Sequence, residues 1–324
     1  MDHQDSQWGL LAQWIEESNR IVFFGGAGVS TESGIPDFRG AKGFYHQDRE
    51  IPLEQVLSID FFTVHPQAYW EWFAQENARE GVAPNAAHRF VAGLERAGKL
   101  SAVVTQNIDG LHQQAGSRRV LELHGNWSRL TCTGCGERFT LDDVDDARSG
   151  EVPHCPTCAS VLRPDIVFYG EMLDNDVIEG AVQAISEADL LIVAGTSLVV
   201  YPAAGLIDYY AGERLVLMNA TPTPYDSRAD LIIREPVGQV FQERQHAPDV
   251  ALADQPDVTA FLQDLARDVE RQVAGIDHAA HEAQVGGDQL LGIVHDEDTP
   301  HVQTHAVALL AIPQVEGGML GNIE

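Results

Sequence analysis

The sequence predicts an α/β protein built on a doubly wound parallel sheet, and three observations carry that prediction. Short, continuously apolar runs recur along the chain as far as residue 233. Helical stretches separate several of them, and a glycine-rich turn directly follows the first. Uninterrupted apolar runs read as strands buried on both faces, which is the situation in a parallel sheet covered by helices on each side.

In chain order, residues 6–18 place Trp8, Leu11, Trp14 and Ile15 at helical spacing. Ile21-Val22-Phe23-Phe24 then reads as the first buried strand. Further strands are expected at 102–105, 190–194, 215–218 and 231–233, and the short run 198–201 has the same buried-strand character. Helices are expected at 86–97 and 176–186. The segment around 130–160 interrupts this alternation and carries its own Gly/Pro turns, so it reads as a small inserted module.

The chain has 324 residues, 44% of them hydrophobic, enough for one large domain or two ordinary ones with a sizeable core. Asp and Glu number 49 against 20 Lys and Arg, a net charge of −29 at pH 7, and only Lys42 and Lys99 are lysines. That balance argues against direct nucleic-acid binding and against anionic membranes, both of which need basic surface. High solubility and adaptation to high salt both fit it. The N-terminus, Met1-Asp2-His3-Gln4-Asp5, lacks the basic-then-apolar plan of a signal peptide, and no apolar stretch is long enough to span a bilayer. The expected compartment is the cytoplasm.

From about residue 246 the character changes. Residues 246–324 hold 14 acidic and 2 basic residues, 6 of the 13 histidines, and Phe261 as the single aromatic. The division expected is therefore a catalytic part, 1–245, and an acidic C-terminal extension, 246–324, partly disordered apart from a helix over 258–273. His278-x2-His281 and His301-x3-His305 have metal-ligand spacing, but solvated histidines in an acidic segment account for them more simply.

Cys132-x2-Cys135 and Cys155-x2-Cys158 hold all four cysteines, with 19 residues between the pairs. That spacing fits a tetrahedral zinc site with four thiolate ligands and marks the insertion as a zinc-ribbon module. Two disulfides or a redox pair compete; a cytosolic setting disfavours them, and Gly134 and Pro156 suit tight ligand turns. Four thiolates fill the coordination sphere, so one structural ion is expected, with the chemistry elsewhere. A nucleic-acid-binding ribbon is the other alternative, and Asp142, Asp143, Asp145 and Asp146 count against it.

Gly25-Gly26-Ala27-Gly28-Val29-Ser30 follows the first strand, where glycines let backbone amides approach a pyrophosphate at a helix N-terminus. The match to the dehydrogenase fingerprint is incomplete, because no strand with an acidic end follows in 36–52. An ordinary structural turn is the alternative. Gln106, Asn107 and Asp109 come directly after a strand, at the edge where open α/β sheets hold ligands, although Asn and Asp are also common turn formers. His124 stands between an apolar run and Gly125, which leaves room beside the ring; a packed or capping histidine is the plain alternative.

Gly26-Ala27-Gly28-Val29-Ser30-Thr31-Glu32-Ser33-Gly34-Ile35-Pro36-Asp37-Phe38-Arg39 resembles the signature of the sirtuins, the Sir2 family of NAD-dependent protein-lysine deacylases, here of prokaryotic type. Thr105-Gln106-Asn107-Ile108-Asp109-Gly110-Leu111-His112, His124-Gly125, the two Cys pairs and Gly195-Thr196-Ser197 agree with it in order. The resemblance covers residues 8–245 and leaves the tail outside.

What the resemblance implies is a Rossmann-like NAD site on this sheet. Gly26, Ala27, Gly28 and Ser30 would contact NAD. Asp37, Phe38 and Arg39 would lie on a flexible loop over it, with Phe38 shielding the reacting sugar carbon. Gln106, Asn107 and Asp109 would surround the nicotinamide ribose, Asn107 acting in catalysis. Gly195, Thr196, Ser197 and Asn219 would hold the adenosine half, with Val237 beside the adenine; helix capping and core packing are the plainer readings of these last. Val167, Phe168, Tyr169 and Gly170 would pair with the extended substrate backbone. His124 would be the general base, taking a proton from a ribose hydroxyl after nicotinamide leaves. The products would be free lysine and O-acyl-ADP-ribose.

The family members that prefer acidic acyl groups carry a Tyr-x-x-Arg pair, whereas Tyr45 is followed here by Asp48, which favours acetyl or longer neutral acyl chains over succinyl or malonyl. Mono-ADP-ribosyl transfer from the same NAD site and a non-catalytic NAD or zinc-ribbon binding module are the other functions to be weighed. The tail carries a net −12 and leaves −17 on residues 1–245, a field that attracts basic, lysine-rich protein segments as substrates. The oligomeric state is left open.

Overall fold

The computed structural model describes residues 3–40, 43–46, 51–77 and 81–242. In chain order the elements are α1 (His3–Glu17), β1 (Ile21–Gly25), α2 (Leu53–Val56), α3 (Ile59–Val64), α4 (Pro66–Asn77), α5 (Ala86–Arg96), β2 (Leu100–Thr105) and α6 (Leu111–Gln114). There follow β3 (Val120–Glu122), β4 (Gly125–Cys132), β5 (Arg138–Thr140), α7 (Asp145–Ser149), β6 (Leu162–Ile166), α8 (Asn175–Ser186), β7 (Leu190–Ala194), β8 (Leu215–Met218), β9 (Leu231–Ile233) and α9 (Val237–Gln242).

Six strands form one parallel sheet in the order β3-β2-β1-β7-β8-β9. The chain steps outward from β1 to β3, returns to the centre at β7, and steps outward again to β9. The switch point therefore lies between β1 and β7, where loops diverge and leave a crevice. All five residues of β1 are buried. Ile21 and Phe23 enter a core with Trp8, Leu11 and Ile15 of α1 and Phe90, Val91 and Leu94 of α5. Val22 and Phe24 enter the opposite core with Ala181, Ala184 and Ile185 of α8. Burial on both faces is why these strands read as unbroken apolar runs rather than alternating ones.

Local chemistry sets the helix ends. Asn85 Oδ1 accepts from the amides of Ala87 (2.9 Å) and His88 (3.4 Å) to start α5. Asp174 Oδ1 does the same for Asp176 and Val177 at α8. Lys99 Nζ donates to the carbonyls of Ile15, Glu16 and Ser18, so a cation closes the C-terminal end of α1.

A third core belongs to a smaller unit assembled from two stretches of chain. Phe44, Leu53, Val56, Phe61, Phe62, Tyr69, Trp70 and Phe73, from the β1–α5 connection, pack with Leu130, Leu162, Ile166 and Phe168 around a three-stranded antiparallel sheet, β5-β4-β6. The inserted module is thus larger than the cysteine-bearing segment alone. Helices α2 to α4 are not among the helices expected from sequence: α2 and α3 have four and six residues, and α4, which opens at Pro66 and buries Tyr69, Trp70 and Phe73, has its aromatics in adjacent pairs.

The run 198–201 is not a strand. Gly195, at φ +60°, ends β7, and Leu198 is itself left-handed at φ +55°, leaving Val199 and Tyr201 exposed. The helix expected over 258–273, the histidine pairs at 278/281 and 301/305, and the whole extension 246–324 lie outside the described residues, as does Asp48. Among the described residues no helix is long and apolar enough to cross a membrane.

Candidate active site

The loops that leave β1, β2 and β7 meet at the switch point and are knitted by backbone. Gly26 N–H donates to the Ala194 carbonyl (3.0 Å), Gly28 N–H to Gly195 (2.8 Å) and Gln106 N–H to Gly25 (2.9 Å). A Cβ on Gly26 would lie 2.6 Å from Thr196 Cβ, one on Gly28 2.7 Å from Gly195 Cα, and one on Gly195 2.4 Å from Val29 N. The glycines therefore let two loops interlock, and the sugar-phosphate edge they present is set by that contact. No α-helix follows the glycine turn. Two 3-10 turns, Ala27–Val29 and Thr31–Ser33, stand there instead, because Gly34 adopts φ +88° and Pro36 follows. The expected helix N-terminus at the phosphate site is corrected accordingly.

Ser30 is the hub of the site. Its hydroxyl donates to Asp109 Oδ2 at 2.6 Å, accepts from Asn107 Nδ2 at 3.1 Å, and has His88 Nε2 at 3.5 Å. Asn107 N–H donates to Thr105 Oγ1 (3.0 Å) and Leu111 N–H to Asp109 Oδ1 (2.9 Å). Ser30, Asn107 and Asp109 are all buried, so these bonds fix where the amide and carboxylate stand. Burial raises the Asp109 carboxyl above its ordinary range, and the Ser30 hydroxyl and Leu111 amide work against that rise.

His88 and His112 were not singled out from sequence. The His88 ring is completely buried, packs edge-on against His112 with centroids 4.8 Å apart, and is bound by Asn85 through Nδ1. Burial, then Arg89, lowers its pKa to about 4; burial and His88 hold His112 well below its usual range. Both ring nitrogens of His112 lack a hydrogen-bond partner among the described residues. The only sequence signal was Asn85-x-x-His88, a cap followed by a residue on the first helical turn.

His124 lies between β3 and β4, with Nδ1 2.9 Å from the Gln106 carbonyl oxygen. A carbonyl only accepts, so Nδ1 carries the proton and the neutral ring presents a lone pair at Nε2. Burial lowers the His124 pKa, opposed by the bond to Gln106, which keeps the ring neutral at pH 7. Gly125 has a different reason from room beside the ring. It sits at φ +76°, and a Cβ there would lie 2.0 Å from the Asp165 carbonyl oxygen of β6.

Asp37 closes its own loop: Oδ1 accepts from Gly40 N–H (2.8 Å) and its carbonyl from Phe44 N–H (2.8 Å). Phe38 is half-buried between the rings of Phe44 and Tyr45, and Arg39 is exposed with its guanidinium over Tyr45. Next to the histidine, Val167 N–H donates to the His124 carbonyl (2.9 Å). Phe168 is buried, stacked on Phe62 and against Tyr69, so its side chain serves the core of the small unit. Tyr169 pairs through its backbone with Leu57 and Ile59. Its N–H and C=O are therefore already in use, and the Val167 N–H is spent on His124, which moves any pairing with an added strand to the Val167 carbonyl and Gly170.

Gln106 Nε2 donates to Thr196 Oγ1 (3.0 Å), and Thr196 Oγ1 also accepts from Leu198 N–H, which ties the loop after β7 to the loop after β2. Asn219 stands one strand further out and closes a turn on Thr221. Val237, on α9, packs in the core with Phe90 and Phe241. The structure thus gathers the residues of the first, second and seventh strand ends with His124 and Val167, and sets Val237 apart.

The four cysteine sulfurs lie within 4.8 Å of one another, with Cys132 and Cys158 at 3.3 Å and Cys135 and Cys155 at 3.7 Å. Those separations exceed a disulfide bond of about 2.05 Å and match thiolates around one tetrahedral zinc ion. The Gly134 and Cys135 amides point at Cys132 Sγ (3.4 Å each), as amides do toward a thiolate. The residues fit the metal, and with four sulfurs its role is structural.

These features agree with the comparisons. The model of the Sir2 family matches residues 26–202. An NAD-dependent protein deacetylase of Clostridium acetobutylicum is 49% identical over 234 residues, which cover 72% of this chain and 95% of that protein. A solved Sir2 enzyme structure superposes with a TM-score of 0.69 at 37% identity, covering 81% of this chain and 99% of that one. A complex of Sir2 with a p53 peptide and NAD+ superposes at 0.62 with 42% identity, covering 72% and 95% respectively. The chain belongs to the Sir2 family.

Proposed function

We propose that this chain is an NAD-dependent protein-lysine deacetylase that consumes acyl-lysine, NAD and one water and releases nicotinamide, lysine and O-acyl-ADP-ribose, with His124 as general base. The observation that carries it is the His124–Gln106 bond, which joins the ring to the loop after β2 next to Asn107 in the chain and leaves the Nε2 lone pair of the neutral ring to act as base. NAD supplies the electrophilic ribose carbon to which the acyl oxygen adds.

The chain's residues do the rest. Gly26, Ala27, Gly28, Gly195, Thr196, Ser197 and Asn219 line the NAD crevice, the glycines and Ala27 by leaving room for close approach and the others with polar side chains, and Ser30 holds Asn107 and Asp109 in place for the nicotinamide ribose. Asp37 shapes the loop that brings Phe38 and Arg39 over the site. His124 Nε2 accepts the ribose-hydroxyl proton. Val167 and Gly170 offer backbone to the acyl-lysine peptide, and the zinc keeps β4 to β6 folded beneath them.

Residues 1–245 act as the catalytic domain, and the acidic extension 246–324 is dispensable for chemistry. The acidic body favours basic protein segments, and the cytoplasm, where thiols stay reduced, suits the four-thiolate site. Acetyl and longer neutral acyl groups are the preferred cargo.

The test is nicotinamide release with an acetyl-lysine peptide. Wild type should release it in a peptide-dependent way, and His124→Ala should lose about 10²- to 10⁴-fold in rate. No peptide-dependent release from wild type overturns the reading. Fastest turnover of a succinyl-lysine peptide overturns the acyl preference, and label from NAD retained on protein redirects the assignment to ADP-ribosyl transfer.

A further inference from the structure

We propose that the hydrogen bond between the Tyr45 and Tyr169 hydroxyls ties the loop carrying Phe38 and Arg39 to the segment that takes the acyl-lysine peptide, so that the two tyrosines act as positioning residues coupling the two substrate subsites. This rests on the function proposed above.

The two hydroxyl oxygens are 2.9 Å apart, although the residues are 124 positions apart in sequence. On one side, Tyr45 is the centre of its loop. Its ring packs on Phe38 with centroids 5.7 Å apart, the Arg39 guanidinium lies 5.1 Å over it, and its N–H donates to the Phe38 carbonyl (3.0 Å). A displacement of Tyr45 therefore carries Phe38 and Arg39 with it.

On the other side, Tyr169 stands on a fixed support. Its N–H donates to Leu57 (2.9 Å) and its carbonyl accepts from Ile59 (3.1 Å). Beyond it, Glu171 makes two bonds to Arg163 (2.7 and 2.8 Å) and accepts from Phe168 N–H (3.0 Å). The Tyr169 side chain itself is 42% exposed, so a peptide laid along Val167 and Gly170 meets it directly. Burial, then Tyr169 itself, pushes the Tyr45 hydroxyl pKa upward, so Tyr45 keeps its proton for this bond.

The bond thus joins a backbone-anchored post to a loop held by side chains. Whatever a peptide does to the Tyr169 hydroxyl is felt at Phe38 and Arg39, and binding of NAD under that loop is felt at Tyr169 by the same factor. Phenylalanine at either position keeps the ring contacts and removes only the bond, so a double-mutant cycle isolates it.

The experiment compares wild type, Tyr45→Phe, Tyr169→Phe and the double variant. Steady-state nicotinamide release with acetyl-lysine peptide gives the NAD and peptide KM, and urea unfolding gives the midpoint. Each single variant should raise the NAD KM roughly threefold to tenfold, as loss of one neutral hydrogen bond allows. The double variant should do no more than the worse single one, and the unfolding midpoint should move by no more than the loss of one hydrogen bond allows. Effects that multiply in the double variant, an unchanged NAD KM in either single one, or a midpoint shift larger than one hydrogen bond allows overturns the proposal. A second readout needs no catalysis: hydrogen exchange at the Phe44 and Tyr45 amides, without substrates, should speed up in Tyr169→Phe. Unchanged exchange overturns the tie, whereas a wild type that releases no nicotinamide overturns the assigned activity and leaves the exchange result to stand or fall alone.

Discussion

The two sides of the crevice are built by different means. The floor, where the loops after β1 and β7 interlock, is held by backbone hydrogen bonds and by glycines whose missing Cβ atoms allow the contact. The roof, made of residues 37–40 and 43–46 and the segment after β6, has backbone bonds inside each of its two parts, but the parts meet through side chains, Tyr45 on Tyr169, braced by Asp37 on Gly40 and Glu171 on Arg163. A backbone interlock has no intermediate settings, while single side-chain bonds are worth about 1 kcal/mol each and can open locally. In the function proposed above, the rigid side is the one assigned to NAD, and the adjustable side is the one assigned to variable peptides.

The sharpest way to separate the two is to remove the metal. A four-thiolate zinc site contributes on the order of 10 kcal/mol to its own fold, so Cys155→Ser or a strong chelator should unfold the small antiparallel sheet. Deacetylation should be abolished, because His124 borders β4 and its carbonyl binds Val167. The amides of β1, β7 and β8, in a sheet with its own two cores, should keep their hydrogen-exchange protection while those of β4 and β5 lose it. Loss of protection in both sheets together would show that floor and roof fold as one.

Next in size is a contrast between two left-handed glycines of the floor region. At Gly195, φ +60°, an added Cβ would stand 2.4 Å from Val29 N and 2.6 Å from Gly28 C, all backbone. At Gly34, φ +88°, nothing lies within 4 Å. Gly34→Ala should cost about 1 kcal/mol, the strain of a left-handed alanine alone. Gly195→Ala should cost roughly 3 kcal/mol or more, since the interlocked loops must separate, and NAD binding should weaken with it. Urea unfolding of both variants decides; equal costs would mean the interlock has slack.

Much of the rigid side was readable in the sequence, and for one reason. Strands buried on both faces give unbroken apolar runs, so 190–194, 215–218 and 231–233 were placed at their observed bounds. The adjustable side was harder. Helices α2 and α3 are too short for periodicity, the aromatics of α4 come in adjacent pairs (Tyr69-Trp70 and Trp72-Phe73) rather than at clean helical spacing, and Phe168 reads as a groove residue until its ring is seen stacked on Phe62. In the site, the residue types at the strand ends were legible, but their wiring was not. That Ser30 serves Asn107 and Asp109, and that His88 stands behind it, depends on loops 58 and 79 positions apart in sequence meeting in space. The glycines were expected for a ligand's sake and prove to serve each other first.

The smallest effect concerns His88, under the floor. Its pKa in the fold falls from 6.5 to about 4, mainly through burial. The unfolded chain therefore binds a proton that the folded chain refuses, and stability, full above about pH 6.5, is lost as the pH falls toward 4. By the size of that shift the loss is at most about 3 kcal/mol, and His112 adds to it in the same direction. Asp109, whose carboxyl is raised by burial, works in the opposite sense, as it gains a proton more readily in the fold. His88→Gln keeps Asp109 and His112 while removing the titrating ring. Unfolding free energies measured in urea at pH 7.5 and pH 5 should drop more steeply in wild type than in the variant. Equal drops would mean that the acid sensitivity resides in groups other than His88, and that the buried ring under the floor is protonated without disturbing the loops above it.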